Sequence, residues 1–151
     1  MASNYDFQNS FGYRLSYIAR LNERGFETRI AADKLTRLGW AVMCAIEYEG
    51  LHRPSNIAAF IGVDRAAVSR TLRRLEDDGR LKSEVGDVDG RSRRVMLTDA
   101  GRDVLNRATA SAQANAEDFA ERFNAEERRI FFEAMGRILE EDRASNPLKA
   151  L

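Results

Sequence analysis

What the chain has little of already narrows its function. It carries one cysteine, Cys44, so no intramolecular disulfide framework can form. It carries one histidine, His52, and a site of three or four nitrogen and sulfur ligands cannot be built from one of each; no metal and no cofactor is expected. Two prolines in 151 residues leave long stretches free to be helical. No apolar run is long enough to span a membrane, and the opening MASNYDFQNS lacks the apolar stretch of a secretory signal, so the cytoplasm is the expected location. Nucleophile elbow, phosphate-binding glycine loop, dinucleotide fingerprint and metal-ligand cluster are all missing. The paired acids Asp77-Asp78 and Glu140-Glu141 read as solvated helix surface, and the chain reads as a non-enzyme.

Net charge is missing too: 24 basic residues balance 24 acidic ones. The balance is not local. Residues 52–97 hold ten basic and seven acidic side chains, a surplus of three positive charges; residues 98–151 hold eight and eleven, a surplus of three negative ones; residues 1–51 are even at six each. A basic middle between neutral and acidic ends suits a nucleic-acid partner at the middle of the chain.

That middle is organised around PSNIAAFIGVDRAAVSRTLRRLEDDG, from Pro54 to Gly79. Ser55 is placed to cap a first short helix, whose packing residues are Ile57, Ala58, Phe60 and Ile61. Gly62 ends it, because glycine takes the left-handed conformation without a Cβ penalty. Asp64 is a natural N-cap for a second helix. At 100° per residue Val68, Leu72 and Leu75 share one face of that helix, while Ala66, Arg70 and Arg73 lie opposite and Ser69 borders them. A small residue at the helix contact, a glycine in the turn and a branched apolar residue in the second helix make a helix-turn-helix. Two alternating runs follow, RLKSEV and RRVML, joined by the polar GDVDGRS. A hairpin with an arginine-tipped loop behind a helix-turn-helix is a wing.

The run from Leu35 to Leu105 closely resembles the multiple-antibiotic-resistance regulator (MarR) family of winged-helix transcription factors. The pieces that carry the resemblance are LTRLGWAVM, RPSNIAAFIGVDRAAVSRTLRRLEDDGRL and DVDGRSRRVMLTDAGR. It implies a mainly α (α+β) fold: a winged helix-turn-helix over residues 35–105 with a small β-hairpin wing, flanked by dimerisation helices at 1–34 and 106–151 in one MarR-like domain. It implies a homodimer on double-stranded DNA, acting as a repressor that leaves a pseudo-palindromic operator when a small ligand binds. Arg70 and Arg73 then reach guanine edges or phosphates in the major groove, Ser69 suits a phosphate or base contact, and Ala66 can touch a thymine methyl. Ser55 and Arg65 join them on the DNA-binding face. Arg91 at the wing tip is placed for the adjacent minor groove, with Asp89 holding the wing in shape. Arg93 and Arg94 alternate on a strand, so one of the two should reach phosphate. The family also often holds small aromatic or anionic effectors between the dimerisation helices and the DNA-binding domain. Tyr13, Tyr17, Trp40 and Met43 are the candidates to line such a pocket, with Arg14 or Arg20 for an anion.

The flanks read as helices. Residues 10–34 repeat Phe11, Leu15, Ile18, Phe26 and Ile30 at helical spacing, interrupted by Gly25, which marks a kink or a close helix contact. Thr36 caps a helix from Arg37 to Glu49. Leu51–Arg53 is short and placed to add a strand to the winged sheet. Thr98 caps a long helix to Phe123, and Asn124 with Glu127 makes a capping box for the last. The apolar stripes of these helices serve either as ordinary core or as a dimer interface. Cys44 reads as a small buried hydrophobe; the alternative is a redox-responsive regulator acting through it. A winged-helix protein–protein module that does not read DNA is the other rival.

Overall fold

A computed structural model describes residues 5–85 and 93–145. The elements run α1 (Phe11–Ile30), α2 (Arg37–Glu47), α3 (Pro54–Ile61), α4 (Arg65–Asp77), β1 (Leu81–Val85), β2 (Arg93–Leu97), α5 (Asp99–Ala120) and α6 (Ala125–Ser145). A mostly helical chain with one two-stranded antiparallel sheet is the fold class expected from the sequence.

Helix boundaries follow the caps. Ser10, Thr36, Asp64 and Thr98 each accept a backbone N–H three residues on, at Tyr13, Gly39, Ala67 and Gly101. Such a cap is worth about 1 kcal/mol relative to alanine. Asn124 and Glu127 bond reciprocally, at 2.9 and 3.0 Å, in the predicted capping box. Gly62 closes α3 at φ +80°. Ser55 does not cap that helix. Arg53 occupies the N-cap position and Pro54 the first turn, where proline's fixed φ and missing N–H cost nothing. Ser55 therefore lies inside α3, its hydroxyl 3.3 Å from the Asn56 side-chain oxygen.

Three other boundaries differ from the sequence reading. α1 stops at Ile30 and continues as a 3₁₀ turn, Ala31–Asp33, before Lys34 turns left-handed at φ 51°. α2 ends at Glu47 rather than Glu49, and α5 at Ala120 rather than Phe123. Leu51–Arg53 is no strand: Leu51 donates its N–H back to the Ala45 carbonyl, closing α2, and is thereby lost to a ladder.

The core lies where α2, α3, α4 and the sheet meet α5. Val42, Met43, Ala45, Ile57, Val68, Leu97, Leu105 and Ala108 are at most 1 % exposed. Phe60, read as a packing residue, is 38 % exposed. Two glycines admit close approaches. A Cβ on Gly101 would collide with the Arg80 carbonyl, so α5 starts pressed against the end of the α4–β1 turn. A Cβ on Gly25 would collide with Asn115 Oδ1. Asn115 is the buried polar residue of α5, and its amide donates to the Asn22 carbonyl and side-chain oxygens at 3.1 and 2.9 Å. Gly25 thus marks a close helix contact, not a kink demanded by the chain.

Candidate nucleic-acid interface

α4 is held from behind and bare in front. Val68, Leu72 and Leu75 are buried against α2 and α3. Its first turn is fixed by the 2.8 Å bond from the Ala67 N–H to the Asp64 carboxylate. Arg65, Ala66, Arg70 and Arg73 are exposed on the other side, with Ser69 half-buried at the border. Among the described residues no carboxylate pairs with Arg65, Arg70 or Arg73. Many arginines outside this helix are neutralised instead: Arg29 by Asp118, Arg37 by Glu23, Arg102 by Glu47 and Asp99, Arg107 by Asp33, Arg129 by Glu126 and Glu133. Unpaired guanidinium groups on a rigid helix suit phosphate and base-edge acceptors, because no internal ion pair must be broken first.

The hairpin stands beside this face. β1 and β2 pair from Leu81↔Leu97 to Val85↔Arg93, with Leu81, Val95 and Leu97 buried on the inner side. Arg93 opens β2, while Arg94 is exposed opposite Glu84. Arg94 is not free: its Nη2 lies 2.9 Å from His52 Nε2, and His52 Nδ1 lies 2.9 Å from the Val95 carbonyl. Sequence reasoning missed this arrangement, since residues 52 and 94 meet only through the sheet. The wing loop, with Asp89 and Arg91, lies outside the described residues.

The four aromatic and sulfur residues read as an effector pocket are not brought together. Tyr13 stacks on Tyr17 on α1, ring centroids 5.8 Å apart, and Arg20 lies over Tyr17. Trp40 instead packs edge-on against Phe26 at 4.9 Å and donates from Nε1 to Thr109 Oγ1. Met43 is wholly buried in the core and offers no surface to a ligand. The apolar spacing of α2 could not distinguish a pocket wall from the core between α1 and α4. An apolar hollow of about 280 Å³ forms instead between α1, α5 and α6, lined by Leu15, Ile18, Phe119, Phe123, Phe131 and Met135 among others.

Cys44 is partly buried on α2. Burial, and secondarily the negative charge of Glu49, pushes its thiol from 9.0 up to about 11. A thiol so raised is a poor nucleophile at neutral pH. Among the described residues no group of three or more His, Cys, Asp or Glu side chains is placed to hold a metal ion, and no helix is long and apolar enough to cross a membrane.

Comparison with known proteins agrees with this geometry. The model of the MarR family matches residues 35–92, which span α2, the helix-turn-helix and β1. The transcriptional regulator HosA of Escherichia coli is 31 % identical over 106 residues, 70 % of this chain and 78 % of HosA. In fold, the chain resembles Bordetella bronchiseptica BpsR, a protein whose DNA binding is regulated by 6-hydroxynicotinic acid: TM-score 0.79, 22 % identity, 89 % of this chain and 96 % of the other. It also resembles a MarR variant from E. coli solved with operator DNA: TM-score 0.76, 19 % identity, 85 % and 92 % covered. With an unpaired basic recognition helix, a hairpin at its side and a relative this similar, the chain belongs to the MarR family of DNA-binding winged-helix transcriptional regulators.

Proposed function

We propose that the protein is a homodimeric repressor that binds a pseudo-palindromic operator through α4 and the wing and is released by a small acidic or aromatic effector. The observation that carries this reading is the outer face of α4, where Arg65, Ala66, Arg70 and Arg73 are exposed and the arginines have no acidic partner among the described residues. In this reading Arg70 and Arg73 enter the major groove with Ala66 and Ser69. Ser55 and Arg65 support them at the backbone, one of Arg93 and Arg94 takes a phosphate, and Arg91, held by Asp89, probes the minor groove. Residues 35–105 read DNA; residues 1–34 and 106–151 hold two copies together.

Exposure of the flanking helices supports the dimer. Ile130, Phe132, Ile138 and Leu139 on α6 are 53–62 % exposed, and Phe11 and Leu15 on α1 are 80 % and 53 % exposed. α6 itself is scarcely packed against the rest of its own chain. Apolar surface of this extent on both terminal helices is characteristic of an association surface. In a symmetric dimer the two copies of α4 would enter successive major grooves, with half-sites about 34–36 Å apart. The effector proposal rests on the regulation of BpsR DNA binding by 6-hydroxynicotinic acid and on the apolar hollow between α1, α5 and α6.

The test is a gel shift on DNA from upstream of the protein's own coding sequence, at several salt concentrations, alongside a thermal-shift screen of small aromatic acids. Specific binding that weakens steeply with salt and is reversed by a hit is the expected result. A protein that shifts no DNA at low salt but captures a protein partner would favour the protein–protein module instead.

A further inference from the structure

His52 is the chain's one histidine, and it stands at the free edge of β2. The third strand expected over Leu51–Arg53 is not formed, and the imidazole takes over one of its bonds. A carbonyl oxygen only accepts, so the 2.9 Å approach of Nδ1 to the Val95 oxygen requires the proton on Nδ1. A guanidinium only donates, so the 2.9 Å approach of Arg94 Nη2 requires a bare lone pair on Nε2. Both partners are satisfied by one form alone: neutral imidazole, protonated at Nδ1. Protonation of Nε2 would set two donors face to face and break the bond to Arg94.

Among the described residues, the rest of the neighbourhood leaves Arg94 to His52. Glu84 is its cross-strand neighbour, but that carboxylate is paired with Lys82 at 2.9 Å. A carboxylate on Arg94 would orient it and cancel its charge; a neutral imidazole orients it and leaves the charge whole. An oriented, uncancelled guanidinium on the outer face of a wing strand is the form in which a phosphate is best met.

We propose that His52 is the positioning residue for Arg94 as a DNA-phosphate ligand, anchoring it from the α2–α3 connection through the Val95 carbonyl. This rests on the DNA-binding reading above and specifies which of Arg93 and Arg94 makes the contact.

The experiment is operator binding across a salt series by the full-length protein, with four variants. Arg94→Ala should weaken binding and reduce the salt slope by about one. His52→Ala should weaken it about three- to tenfold, the scale of one ordering hydrogen bond, with the charge still present and the salt slope therefore kept. The double variant should bind no more weakly than Arg94→Ala. His52→Gln, whose amide supplies a donor and an acceptor, should recover part of the loss. The result that would overturn the proposal is independent, multiplying losses in the double variant, or parental binding by either single variant. Nitrogen-15 spectra of the DNA-free protein give a separate readout. They should show the Nδ1-protonated tautomer, the minor form of free histidine in water, and an Nε2-protonated ring would also sink the proposal. If the parent binds no operator, the DNA-binding reading fails, and the tautomer signal alone decides whether His52 holds Arg94.

Discussion

The winged-helix body and the terminal helices differ in where they leave their apolar side chains. In the body nearly every large aliphatic residue of α2 and α4 is covered: Val42, Met43, Val68, Leu72 and Leu75 are at most 5 % exposed. In the ends, side chains of the same kind stand in water, from Phe11 and Leu15 on α1 to Ile138 and Leu139 on α6. Charges show the inverse pattern. Among the described residues, arginines on the outer face of α4 stand without acidic partners, whereas α6 ties Arg129 between Glu126 and Glu133 at 2.7 Å each. Completed apolar packing with unfinished electrostatics describes a surface waiting for a polyanion. Finished electrostatics with incomplete apolar packing describes a surface waiting for another protein face.

Breaking the unfinished packing should have the largest effect. Phe132→Asp with Leu139→Asp places two charges on the exposed side of α6, away from the core cluster. Burying them unpaired in an interface costs several kcal/mol, so light scattering should show monomers and operator affinity should fall at least about a hundredfold. An undiminished dimer with parental affinity would show that the exposed face of α6 is not the interface.

Within α4 the two faces should separate stability from reading. Leu72→Ala empties part of a buried site and should cost about 2–5 kcal/mol of stability, read by denaturant unfolding. Arg70→Ala and Arg73→Ala should leave unfolding unchanged, since both side chains are exposed. At least one of them should lose about 1–3 kcal/mol of discrimination at defined operator positions in a library selection. Equal selectivity in both arginine variants would put the reading face elsewhere.

How far the sequence reached depended on the range of each interaction. Caps at Thr36, Asp64 and Thr98, the Asn124–Glu127 box and the turn at Gly62 are local, set within a few residues, and all were legible. So was the inner face of α4, because a 3.6-residue period decides it. Where the structure departs from the sequence reading, the deciding partner was either a near neighbour that competed for the same position or a residue distant in sequence. Ser55 lost the cap to Arg53 because Pro54 fixes the first turn one residue earlier. Residues 51–53 lost their strand because the Leu51 N–H was claimed by the Ala45 carbonyl. Trp40 and Met43 were read as pocket walls because periodicity reports that a face is covered without saying by what. The contact between Gly25 and Asn115, some ninety residues apart, left in the sequence a glycine in a helical pattern that fitted either a kink or a close helix contact, with no sign of the partner.

That contact yields a smaller prediction within the terminal helices, where α1 meets α5. Gly25→Ala gains helix propensity of about 1 kcal/mol, but its methyl runs into the Asn115 side chain, which is held by two bonds to Asn22. Overpacking of this kind costs about 1–3 kcal/mol, so the net change should be destabilising by thermal or denaturant unfolding. Asn115→Ala removes the obstruction, and in that background Gly25→Ala should be less harmful or even stabilising. Losses that simply add would mean that Gly25 and Asn115 do not share the space.

The smallest effect belongs to Cys44, and it tests whether α2 is only structural. Its thiol ionises near 11 rather than 9.0, first because burial disfavours the thiolate and second because Glu49 repels it. For a neutral acid whose folded pKa is raised, the stabilising difference is intact below the unfolded value and is lost as pH climbs through the folded one. Stability should therefore be insensitive to this group at pH 7 and decline from about pH 9 to about pH 11, a decline that Cys44→Ala should lack. At neutral pH the thiolate fraction is about a hundredfold below that of an unshifted thiol, so alkylation of the folded protein should be slow in proportion. Mild peroxide should leave operator binding unchanged in the parent and in Cys44→Ser alike. A parent that releases DNA on oxidation while Cys44→Ser holds it would turn α2 from a packing helix into a redox sensor, and would place a regulatory site in the winged-helix body.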